Sequence, residues 1–113
     1  MAAGDIERIK TKLYALNMRL EEVNSEVVAA QARVSRLEQQ LEDAKLAALL
    51  GEEAGNPSEI GPELETRRSE LADQQQLLRR IRSSQWETRL RYLLARRKEI
   101  QAEQAGSTET AGE

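Results

Sequence analysis

Beginning at Ile6 and stepping alternately by three and four residues, the chain meets Ile6, Ile9, Leu13, Leu16, Leu20, Val23, Val27, Ala30, Val34, Leu37, Leu41, Ala44 and Ala48, and every one is apolar. An apolar spacing averaging about 3.5 residues over so long a run predicts an α-helix that buries one stripe in a left-handed coiled coil. The positions beside the stripe are polar: Asp5, Lys12, Arg19, Glu26, Arg33 and Gln40 on one flank, Lys10, Asn17, Asn24, Gln31, Glu38 and Lys45 on the other. A chain with this feature must find a second helix to cover its seam.

The pattern stops at Gly51. The segment GEEAGNPSEIGPELE holds three glycines and both prolines, which predicts a turn. Asn56-Pro57-Ser58-Glu59 offers an N-cap, a proline at the first helical position and a glutamate at the third, and Gly61-Pro62 offers a second start. With the second start chosen, the expected organisation is a short N-terminal tail at 1–4, a helix at 5–50, a turn at 51–61, a helix at 62–104, and a disordered C-terminal tail at 105–113. The fold class is all-α: two long helices forming an antiparallel coiled-coil hairpin over 5–104, with hairpins associating into a four-helix assembly.

The second helix has a less regular stripe. Leu64, Leu71 and Leu78 lie seven apart, and the next large apolar residues, Trp86, Leu90, Leu93 and Ile100, resume after a step of eight with Arg82 and Arg97 at intervening positions. That step coincides with Ser83-Ser84, and Ser84-Gln85-Trp86-Glu87 has the spacing of a capping box, so an irregularity is expected there. A turn centred near residue 56 makes paired positions total about 112, which places Trp86 between Val27 and Ala30 and sets Glu21, Glu22 and Glu26 beside Arg89 and Arg91.

Composition closes off most chemistry. The 113 residues contain no Cys, His or Phe and are 33% charged and 3% aromatic. The usual general base, the thiolate nucleophile and the commonest transition-metal ligands are therefore absent. Carboxylate pairs such as Glu21-Glu22 and Glu42-Asp43 fall on helix surfaces with no concave site to perturb them. The glycines form no phosphate-binding loop. No enzymatic activity, no cofactor, no metal and no small-molecule substrate are expected. No signal peptide or apolar run of membrane-spanning length is readable, and the expected localisation is cytoplasmic.

The net charge of −3 conceals a basic segment: residues 79–98 carry eight Arg or Lys against the single acid Glu87. After internal pairing, Arg79, Arg80, Arg82, Arg96, Arg97 and Lys98 remain as candidate partner-binding residues. Tyr14, Met18, Leu46, Leu49, Leu50, Leu77 and Leu94 lie off the seam and are candidates for self-association. The expected function is a non-enzymatic coiled-coil interaction or scaffold protein, with a second copy of itself (a homodimer) or a larger protein assembly as partner. The alternative is a nucleic-acid-binding arm using the basic face of 79–98. Membrane binding is not expected, because the apolar face of the second helix is required by the first. Hairpins of this pattern resemble the arm of seryl-tRNA synthetase and the coiled coils associated with rotary and secretion ATPases; the resemblance is one of heptad pattern and carries no functional residue across.

Overall fold

The computed structural model describes residues 2–53 and 55–112, with side chains for 4–53 and 55–106. Two α-helices, α1 (Ala2–Leu50) and α2 (Pro57–Gly112), pack against each other as a helical hairpin, and no strand occurs among the described residues. The all-α hairpin is therefore as expected. The chain divides into a terminal unit, Met1–Leu20 with Arg80–Glu113, and a turn unit, Glu21–Arg79.

The helix ends follow local chemistry. Gly51 adopts φ 73°, the left-handed conformation that costs a residue without Cβ little. There the Gly51 N–H donates to the Ala48 carbonyl at 3.3 Å and the Glu52 N–H donates to the Ala47 carbonyl at 2.8 Å, closing α1 in a Schellman motif. α2 begins at the first of its two candidate starts. The Asn56 Oδ1 accepts from the Ser58 N–H at 3.1 Å and from the Ser58 hydroxyl at 2.7 Å, Pro57 takes the first helical position, and the Ile60 N–H reaches the Asn56 carbonyl at 3.1 Å.

The expected turn of 51–61 thus contracts, and Pro62 lies inside α2. A helix whose cap is this well satisfied tolerates one missing N–H in its second turn, because Ile60 and Leu64 on either side are held against α1. At the far end α2 remains helical through Gly112, where a disordered tail had been expected from 105. Neither a proline nor a left-handed residue stops the helix there, although Gly106, Ser107, Thr108 and Thr110 are weak helix formers. At the N-terminus helix replaces the expected tail from Ala2; Met1 and Glu113 lie outside the described residues.

In the turn unit the seam is well filled. Val23, Val27, Val34, Ala44 and Ala47 of α1 are buried with Leu64 and Leu78 of α2, and Val23 is completely enclosed. The last step of the α1 stripe takes Ala47 rather than Ala48. Arg68 reaches across to Glu38 at 3.3 Å, an exposed pair that serves register more than stability. Ala30 and Gln74 line one groove, and Ala44 and Ile60 another, so paired positions total about 104. In the terminal unit Ile9 lies with Ala95 and Leu16 with Thr88, giving the same total. The register expected at about 112 is corrected by eight residues, because α2 starts at Pro57 and the turn is shorter and earlier in the chain.

Gln74 is a polar position in the seam of the turn unit. The Gln74 side chain is half-buried, and its Oε1 is fully enclosed without a hydrogen-bond donor. A buried acceptor left unpaired costs about 1 to 3 kcal/mol. Gln74→Leu is therefore expected to raise stability by about 1 kcal/mol or more, read as a higher urea midpoint with an unchanged slope. A lower midpoint would show that the glutamine is satisfied or that a leucine overpacks against Ala30.

Candidate functional site

The terminal unit departs from the expected seam in a way that creates its surface. On α2 the inward positions continue the seven-residue repeat of Leu64, Leu71 and Leu78 without interruption: Ile81 is buried, and Gln85, Thr88, Tyr92, Ala95 and Glu99 are half-buried. No eight-residue step occurs, and α2 passes through Ser83-Ser84 as unbroken helix. A helix that keeps one repeat packs straight along its partner, whereas an inserted residue turns the stripe by about 100°.

The residues expected in the seam consequently face outward. Trp86 is 61% exposed, Leu90 43%, Leu93 52% and Ile100 40%, and Arg82 and Arg97 are exposed with them. Trp86 therefore lies outside the seam in which it was expected. The inward face is instead polar, and the side chain of Gln85 donates its amide hydrogen to Asn17 Oδ1 across the helices. The ground for setting membrane contact aside also falls, since α1 does not occupy this apolar face.

The electrostatics change with the register. Arg89 and Arg91 belong to the terminal unit, while Glu21, Glu22 and Glu26 belong to the turn unit. Arg80, Arg82, Arg89, Arg91, Arg97 and Lys98 make no ion pair among the described residues; Arg96 pairs with Glu99 at 3.4 Å, and Lys10 with Glu7 at 3.4 Å. The terminal unit holds eleven Lys or Arg against seven Asp or Glu, and the turn unit six against thirteen. Halving the chain at the turn hides this, because each unit draws on both helices.

Of the six basic candidates, Arg80, Arg82, Arg96, Arg97 and Lys98 lie together in the terminal unit, and Arg79 ends the turn unit. Arg82, Arg89 and Arg96 form one row at seven-residue spacing beside Trp86, Leu93 and Ile100. The off-seam residues are all exposed: Tyr14, Met18 and Leu94 in the terminal unit, Leu46, Leu49, Leu50 and Leu77 in the turn unit. Sequence reasoning missed Trp86, Leu90, Leu93 and Ile100 as surface residues. The signal that could have found them was the exact sevenfold continuation from Leu64, Leu71 and Leu78 through Gln85 and Tyr92.

The terminal unit has an open groove of about 570 Å³ in which Arg8, Lys12, Arg91 and Lys98 surround a floor including Ile9 and Leu94, with Asp5 as its one acid. Such a groove favours an anionic ligand with an apolar part. No set of three or more Asp or Glu side chains is arranged to hold a metal ion among the described residues. No helix among them is long and apolar enough to cross a membrane. No protein-family model, no characterised protein and no solved structure matches the chain.

Proposed function

We propose that the chain is a non-enzymatic coiled-coil interaction protein whose docking surface is the outward face of α2 between Trp86 and Ile100. One observation carries this reading: the large apolar residues of that stretch are exposed, while the hairpin's own seam beside them is made of Gln85, Thr88, Tyr92, Ala95 and Glu99. Exposing a contiguous apolar stripe is costly in water and marks a surface that another molecule covers. The spacing of Trp86, Leu90, Leu93 and Ile100 matches that of helix-in-groove and coiled-coil anchors. The unpaired arginines beside it also suit the phosphate backbone of a nucleic acid, but phosphate contacts make no use of interleaved leucines.

A photo-reactive residue placed at Leu93 in the cell that makes the protein tests the reading. Discrete protein adducts are expected from position 93 and not from Ser84, which is exposed on another face of α2. Adducts to nucleic acid alone would replace the protein-docking reading with the alternative.

A further inference from the structure

Two leucine triads of the same spacing lie on the surface in opposite electrostatic settings. Leu46, Leu49 and Leu50, in the last turn of α1, are 57%, 85% and 64% exposed. Glu42 and Asp43 precede them on the same helical stripes, and Glu52 and Glu53 follow directly. Leu90, Leu93 and Leu94 are 43%, 52% and 57% exposed, with Arg89 and Arg91 among them and Arg96, Arg97 and Lys98 following. The first triad belongs to the turn unit, with thirteen acids to six bases, and the second to the terminal unit, with eleven bases to seven acids.

We infer that the Leu90 triad of one copy docks on the Leu46 triad of a second copy. The inference rests on the interaction reading above and names its partner. Residues at i, i+3 and i+4 share one helix face, so each triad presents a compact apolar patch that can interdigitate with its counterpart. Opposite charge around the two patches steers them together, and like charge opposes docking of either triad on itself. An anionic bilayer or a nucleic acid would satisfy the arginines, but either leaves the acidic triad uncovered and repels it. Further copies of this chain offer each triad its counterpart. The arrangement is heterologous, joining different patches of the two chains.

Sedimentation equilibrium of the full chain at micromolar concentration is the test, run with two charge-reversed variants, Arg89→Glu/Arg97→Glu and Glu42→Arg/Glu53→Arg. These positions are exposed, so helicity is expected to be unchanged. The wild-type chain should self-associate and weaken roughly tenfold as salt rises from about 0.05 to 0.5 M. Each variant alone should associate at least about tenfold more weakly than wild type, and an equimolar mixture of the two should recover association, because the reversed patches again meet opposite charge. A monomeric wild-type chain, unimpaired single variants or a mixture that fails to recover would each overturn the inference. So would phosphatidylserine vesicles that bind the chain more tightly than it binds itself and lose it on Leu93→Ser. A wild-type monomer that still forms adducts to other proteins through position 93 would remove the second copy as occupant and leave the interaction reading standing.

Discussion

Val23→Asp is expected to destabilise the hairpin by about 3 to 5 kcal/mol, the cost of an unpaired charge in a site with no room for water. Val23 has no exposed surface and sits in the seam of the turn unit, and no cation among the buried residues could compensate a carboxylate there. Small domains carry only about 5 to 15 kcal/mol of net stability, so a loss of this size is a large fraction of the total. Val28→Asp supplies the control. Val28 is 61% exposed, and the same substitution five residues away should change stability by no more than about 0.5 kcal/mol. Thermal melts followed by helical circular dichroism measure both. Similar losses at 23 and 28 would mean that the seam of α1 is not where the structure puts it.

Ile81→Ala and Trp86→Ala should separate just as widely, in the order opposite to side-chain size. Ile81 is 7% exposed, and its truncation leaves a cavity worth about 2 to 5 kcal/mol. Trp86 lies outward, so its replacement removes little hairpin packing; alanine's better helix propensity offsets part of what is lost, and the net change should stay within about 0.5 kcal/mol. The comparison belongs at submicromolar concentration, below self-association, where Trp86 should also emit as a solvent-exposed indole. A Trp86→Ala loss of about 3 kcal/mol or more would restore the eight-residue step and bring the tryptophan back into the seam.

The two predictions probe helices that differed in legibility. On α1 each alternating step from Ile6 to Ala44 lands on an apolar residue that is buried or half-buried in the structure, because no competing stripe exists. On α2 two stripes overlap. One runs Leu78, Ile81, Gln85, Thr88, Tyr92 and the other Trp86, Leu90, Leu93, Ile100, and hydrophobicity alone favours the second. The hairpin takes the first, since a continuous helix with a constant repeat stays in contact with its partner. The more apolar stripe is then left outside, and that is why the candidate site was read as core.

The ends of the helices were legible to different degrees for equally local reasons. Gly51 could be read as the stop of α1 because the left-handed conformation favours glycine, and Asn56-Pro57 contained the true start of α2. Choosing Pro62 instead lengthened the turn and carried the register eight residues away, so the pairing of Arg89 and Arg91 with the acids of α1 went with it. Arg82, Arg89 and Arg96 form one row whatever the register, since that follows from spacing within a single helix.

By itself the sequence determined what each helix can do alone: two helical segments, a break between them, a seam on α1, and the absence of histidine and cysteine chemistry. Only the tertiary structure decided which face of α2 meets α1. Heptad content belongs to one helix, whereas register belongs to a pair and is set by the length of the turn. Contacts across the pair therefore chose between two stripes about 100° apart, and with that choice the apolar and basic residues of 82–100 became a surface.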